Sequence, residues 1–277
     1  MTGAAEPAGS HVYVYGFARA GGGTPPPAIG DGVVPDAPVQ LLPVGGLSAI
    51  VSVFPAGTAL HEFGQGDEER AKSCAVAHHR VLEALAGRFP LAPSKFGTVL
   101  RSLDDLNALM QRNAAALRET LDHVAGCREW GLKLFGDPSI FRAMAQSGPA
   151  LTSLQEELAS ASSGKAYFIR KKLQSGVEAE TQRMLTDCAI EVHQRLASAA
   201  RESAHIRSAP AVQRGCSGTV MLLNTAYLVE KSREAQFHEA LTEMRGAFAE
   251  KGLSDALTGP WPPYNFVSLQ AGGTDRV

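Results

Sequence analysis

The spacing of apolar and polar positions changes period several times along the chain, and each change predicts an element. His11 to Phe17 is rich in β-branched and aromatic residues and reads as a strand, after which the glycines and prolines of Gly21 to Pro27 break any regular element. Val39 to Val44 and Leu47 to Phe54 resume the apolar pattern on either side of Gly45-Gly46, a pair suited to an antiparallel hairpin. From Asp67 the period becomes helical: Ala71, Cys74, His78, Val81, Leu82 and Leu85 recur at three- and four-residue steps, acidic residues fill the first turn, and Gly87 ends the run. Pro90 to Leu100 reads as a short strand with a bend. Ser102, with Asp105 three residues on, then caps a second helix running to about Val124.

Beyond Gly126 the pattern restarts. Trp130, Leu132 and Leu134 alternate on one side of a strand, and Pro138 opens a short helix that Ser147 to Pro149 interrupts. Small residues from Ala159 to Gly164 precede a helical segment from about 164 to 202, which would span about 58 Å at 1.5 Å per residue. Within it, Leu185, Ala189, Val192, Leu196 and Ala199 form a seam able to meet another helix, in this chain or in a partner. Two strands follow, Ala204 to Ala209 and Gly218 to Val229. A helix from Glu230 to Lys251 then carries Phe237, Leu241, Met244 and Phe248 on one face, with Gly252 just past its end. The last run, Gly259 to Ser268, holds three prolines and three aromatic residues between Pro260 and Phe266. Prolines cannot donate to a ladder, so Gly259 to Pro263 is expected as a stiff extended lead-in to a strand from Tyr264 to Leu269.

Together these elements predict an α+β protein of two domains. Residues 1–10 are expected to be disordered, and residues 11–127 to form a mixed sheet with helices. Residues 128–277 follow the order strand, helices, strand, strand, helix, strand of a ferredoxin-like sandwich that includes the long helix. Hydrophobic content of 44% and a net charge of −2 exclude a disordered chain and a broad nucleic-acid-binding surface. No run approaches the roughly 18 apolar residues of a membrane span, and no signal core follows the N-terminus, so a cytoplasmic protein is expected.

Candidate chemistry is sparse. Cys74, Cys127, Cys188 and Cys216 form no CxxC pair and read as buried thiols. Cys74 and His78 have the i,i+4 spacing of metal ligands, with His79 beside them, but no second ligand pair is near in sequence, and a hydrogen-bonded core histidine is the better reading. His61, Glu62, Asp122 and His123 lack any nucleophile-elbow, HExxH or cysteine-protease signature, and no phosphate-binding glycine loop leads into a helix. Neither Gly131 to Phe135 nor Thr219 to Val229 carries the aromatic and basic stripe of an RNA-binding sheet. Arg170-Lys171-Lys172 is followed by Glu178, Glu180 and Glu191 on the same helix and reads as a solvated face. No catalytic residue, cofactor site or metal site is predicted.

Four stretches carry a family resemblance. His78, Val81 and Leu82 followed by Pro93, Lys95, Phe96, Gly97 and Thr98, then Glu129, Trp130 and Lys133, then Leu222 to Val229, and above all Gly259 to Phe266, resemble the gas vesicle protein F/L family over nearly the whole chain after residue 10. The resemblance implies an accessory or minor structural protein of gas vesicles, located with them in the cytoplasm. It would bind the major shell protein and other accessory proteins during nucleation and assembly, and perform no chemistry. Candidate contact residues are Pro260, Trp261, Pro262, Pro263, Tyr264 and Phe266 on the proline-aromatic segment, and Leu185, Val192 and Leu196 on the helical seam. Stiff prolines lower the ordering cost of binding and aromatic side chains supply anchors, although both sets also suit packing within the chain. The alternative is a ferredoxin-like small-ligand sensor or enzyme with a pocket between its domains.

Overall fold

The computed structural model describes residues 9–19, 32–56, 68–207, 218–248 and 251–267. The glycine- and proline-rich run at 21–27, His61, Glu62 and Cys216 lie outside them. The chain divides into two compact units, one comprising Met1–Glu129 with Pro260–Val277 and the other Trp130–Gly259. The proline-aromatic segment from Pro260 onward therefore falls in the first unit, not in the C-terminal domain where chain order had put it.

In the first unit, β1 (Ser10–Ala18), β2 (Val39–Val44), β3 (Leu47–Pro55), β4 (Leu91–Pro93) and β5 (Val99–Leu100) form a sheet of order β2-β3-β1-β4, with β5 also paired to β1. The pairings of β1 with β3, β4 and β5, and of β2 with β3, are all antiparallel, so the mixed sheet expected from the pattern is an antiparallel one. The 2–3 pair is the hairpin across Gly45-Gly46, and β4 and β5 return to the same central strand on its other side.

Strand β1 is buried from Val12 to Ala18, because both of its faces are covered. Tyr13 and Tyr15 join Val81, Leu82 and Leu85 of α1 (Glu68–Ala86), whereas Val12 and Val14 join Leu106, Met110, Leu117 and Leu121 of α2 (Leu103–Arg112) and α3 (Ala114–Val124). Phe17 continues the second set despite its odd position, since a bulge between Val14 and Gly16 reverses the alternation. The single helix expected to Val124 is two. Asn113 takes a non-helical backbone (φ −103°, ψ 10°) and its side-chain amide donates to the Leu109 carbonyl at 2.9 Å, ending α2 in the way that makes asparagine a poor mid-helix residue.

The first core contains a chain of polar contacts. The Gly97 and Val33 amides donate to the hydroxyls of Tyr13 (3.2 Å) and Tyr15 (2.8 Å). The Tyr13 hydroxyl is also hydrogen-bonded to His78 Nδ1 at 2.9 Å, and Tyr15 donates to Ser52 Oγ at 3.2 Å, whose own hydroxyl donates to the Ala37 carbonyl. His78 is thus a hydrogen-bonded core histidine. Burial pushes its pKa down to about 4, against a pull from the Ser94 backbone and with a smaller lowering by His79.

In the second unit, β6 (Cys127–Gly136), β7 (Glu202–His205), β8 (Val220–Glu230) and β9 (Leu253–Trp261) form a sheet of order β7-β8-β6-β9, with β7 and β8 antiparallel. Its helices are α4 (Pro138–Ser147), α5 (Thr152–Ser160), α6 (Ser163–Ala199) and α7 (Glu234–Phe248). The expected helix over 164–202 is α6, and its length is explained by two separate tasks. The C-terminal half puts Val192, Leu196 and Ala199 into a core with Leu132, Leu134, Tyr227, Phe237, Leu241 and Met244. The N-terminal half puts Val177 against Ala145 of α4 and Leu151, with Leu154 and Leu173 at the margin. Gly176 belongs to this second contact: a Cβ there would lie 2.8 Å from Leu151 Cδ2, so the helix gives up about 1 kcal/mol of propensity to let the turn approach.

Strand β9 contains Pro260, which an edge strand tolerates. The strand ends at Trp261, and Tyr264–Phe266 forms a 3-10 turn where a strand was expected. Pro262 and Pro263 contribute no N–H, while their carbonyls accept from Tyr264 N (2.7 Å) and Phe266 N (3.3 Å), so the segment turns on itself.

A folded pKa below the unfolded value makes His78 a source of stability that is complete above pH 6.5 and is lost as pH falls toward about 4. Wild type should lose roughly 2 kcal/mol more than His78→Gln between pH 7 and pH 4.5. Urea unfolding of both proteins at the two pH values measures this difference.

Candidate functional site

The proline-aromatic segment is mounted on the first unit by three contacts. Trp261 meets His79 of α1 edge-on, with ring centroids 4.9 Å apart. The Tyr264 hydroxyl lies 3.1 Å from His79 Nδ1, and the Tyr264 ring packs at the margin of the core built by Tyr13 and Tyr15. Asn265 donates its backbone N–H to Glu129 Oε2 at 2.9 Å and its side-chain amide to Oε1 at 2.6 Å. One residue thereby occupies both oxygens of a carboxyl group that is only 3% exposed.

The electrostatics follow from burial. Desolvation pushes the Glu129 pKa up, and the two donors on Asn265 pull it back. Such a group binds its proton more tightly folded than unfolded, so its own contribution to stability decreases as pH rises through the folded value, the reverse of His78. The Tyr264 hydroxyl is also raised, by burial first and then by the carboxylates of Glu129 and Glu83.

These groups hold a segment in place. The prolines fix the backbone, and of the candidate contact residues here Pro262 and Pro263 are buried, Tyr264 and Phe266 half-buried, and Pro260 and Trp261 exposed at the surface, Trp261 by 37%. Gly259, at φ +121°, supplies the backbone geometry that begins the segment. Val267 continues into the other core, at the margin of the cluster containing Leu106 and Met110.

The second candidate set is placed differently. Leu185, Val192 and Leu196 are 3%, 1% and 0% exposed, so the seam is spent on packing inside the second unit. Asp122, one of the acidic residues without a catalytic signature, is paired with Arg19 at 2.6 Å. Among the described residues no cluster of three or more His, Cys, Asp and Glu side chains is arranged to hold a metal, and no helix is long and apolar enough to cross a membrane.

Two participants were not legible as site residues beforehand. Glu129 stood only in a family motif and His79 only beside the Cys74 and His78 spacing, and the partner of Glu129 is 136 positions away. No periodicity reports a contact at that distance; a paired change of Glu129 and Asn265 among relatives is the signal that would.

The Asn265 amide should exchange slowly with solvent, and Glu129→Ala should speed exchange over residues 260–267 by tenfold or more, roughly the effect of losing one charge-assisted hydrogen bond. Hydrogen exchange read by mass spectrometry or NMR measures it.

Comparison with known proteins gives one consistent result. A family model described as gas vesicle synthesis protein GvpL/GvpF matches residues 11–268. Gas vesicle protein L of Streptomyces sp. (strain CB03234) is 29% identical over 257 residues, covering 86% of this chain and 89% of that protein. Gas vesicle protein F of the same strain is 26% identical, over 92% and 99%. The crystal structures of GvpF from Anabaena sp. PCC7120 and from Microcystis aeruginosa superpose with TM-scores of 0.68 and 0.63 at 22% and 20% identity. Each alignment covers 94% of this chain and 99% of the other, a likeness of fold. Since the family model runs from the first buried strand through the Glu129 and Asn265 clasp, this chain belongs to the gas vesicle synthesis protein GvpL/GvpF family.

Proposed function

We propose that the protein works in gas vesicle assembly, inside the cytoplasm and at the growing vesicle, by binding the major shell protein and other accessory proteins. Family membership supports the vesicle role. The observation that carries the binding role is the rigid presentation of Trp261: a large aromatic, over one third exposed, on a backbone held by two prolines, a histidine contact and a clasped carboxyl. A side chain ordered before binding loses little freedom on binding, and aromatic anchors of this kind dominate interface energetics. Pro260 lies beside it at the surface, while Pro262, Pro263, Tyr264 and Phe266 serve as the mount. In the same reading the second unit is a ferredoxin-like sandwich, supported by its element order and by the strand order β7-β8-β6-β9, and it acts as a separate domain.

Trp261→Ala should stay folded and lose at least tenfold in affinity for the purified shell protein, as removal of an interface anchor does. A pull-down paired with a thermal melt checks this. Undiminished binding by the folded variant would overturn the assignment of Trp261, and a full-length protein that captures no vesicle protein would overturn the binding role itself.

A further inference from the structure

The N-terminal half of α6 carries a surface that the segment around Trp261 does not involve. Tyr167 and Phe168 are 63% and 71% exposed, the two most exposed of the large hydrophobic side chains among the described residues, and their rings touch edge-on at 5.6 Å between centroids. Ala166 and Ile169, on either side, are buried, so the helix is held in register and the two rings point away from its packed face. On a helix, residues three and four positions on lie one turn above. Tyr167 is therefore followed by Arg170 and Lys171, and Phe168 by Lys171 and Lys172, all three exposed.

The charge here is one-sided. From Ser160 to Val177 there are four cations and no acidic residue, in a chain whose acids outnumber its bases. Lys165 is paired with Glu157 at 2.9 Å, and Lys172 acts on that same carboxylate from farther away. Glu178, which suggested a neutralised face, is instead turned to Arg142 at 3.1 Å, and Glu180 to Arg183 at 2.6 Å. Among the described residues Arg170 and Lys171 have no acidic partner.

We infer that the Tyr167–Lys172 face of α6 is a docking surface for an acidic segment of another protein, one that places apolar side chains on the two rings and carboxylates on Arg170, Lys171 and Lys172. Aromatic residues and arginine are the types enriched at protein interfaces, and unpaired cations around an apolar centre select a partner of opposite charge. Two rings on one turn give a short contact suited to a peptide or helix. A membrane or nucleic acid would also meet the rest of a chain of net charge −2, which offers such polyanions no general attraction.

The inference rests on the vesicle-assembly reading only for where the partner is sought. The test is the full-length chain with the photo-crosslinker p-benzoylphenylalanine at position 168, expressed with the other vesicle genes, and with the exposed Glu239 position labelled as the control. The expected result is a crosslink to a carboxylate-rich segment of one protein, mapped by mass spectrometry. Arg170→Glu with Lys171→Glu should reduce it by about fivefold or more, with an unchanged thermal melt. Crosslinking no stronger than at position 239, capture of lipid, of RNA or of a second copy of this chain, or a yield indifferent to charge reversal would overturn it. A mapped acidic segment in a protein unrelated to vesicles would uphold the surface and count against the vesicle reading.

Discussion

The bond pair between Glu129 and Asn265 is the constraint on which the chain's organisation depends. The second unit begins one residue after Glu129 and ends six residues before Asn265, so it is an insertion into the first unit, and the clasp ties the two ends of that insertion. Closing so long a loop costs ordering entropy, but the cost grows only slowly with length, and a nearly buried carboxyl with two donors is well suited to offset it. A buried carboxyl is costly when unpaired, which makes the contact specific as well as attractive: removing Asn265 would take the donors from both oxygens.

The same clasp relates fold to function. It orients the turn over Tyr264 and, with His79, fixes where Trp261 emerges. The side chain proposed to meet the shell protein is thereby a consequence of packing in the first unit, where β1 is buried between α1 on one face and α2 with α3 on the other. The surface on α6 arises independently, because the helix exceeds what the sheet of its unit covers and brings a second, smaller core with it.

Local signals in the sequence were faithful wherever short-range physics decides. The hairpin at Gly45-Gly46, the apolar face of α1, the cap at Ser102 and the row Phe237, Leu241, Met244 and Phe248 all follow from period and turn chemistry. What the pattern missed is non-local or competitive. The return of Pro260 to Val267 to the first unit depends on a contact across 136 positions. The break at Asn113 depends on a side-chain amide outcompeting the helix. The end of β9 at Trp261 depends on prolines accepting hydrogen bonds locally instead of leading into a strand. For the candidate site, the motif was legible from its composition, but which of its residues are buried was not. Alternating hydrophobicity cannot distinguish the hidden Pro262 from the exposed Trp261, nor a seam like Leu185 to Leu196 turned inward from one awaiting a partner.

The central claim is that the clasp holds the end of the chain onto the first unit. A double-mutant cycle with Glu129→Ala, Asn265→Ala and the combined variant, followed by urea unfolding at pH 7, tests it most directly. The account predicts a coupling energy of about 2 kcal/mol, the scale of a buried hydrogen-bonded pair involving a charge. Strictly additive losses, with a coupling below about 0.5 kcal/mol, would contradict it.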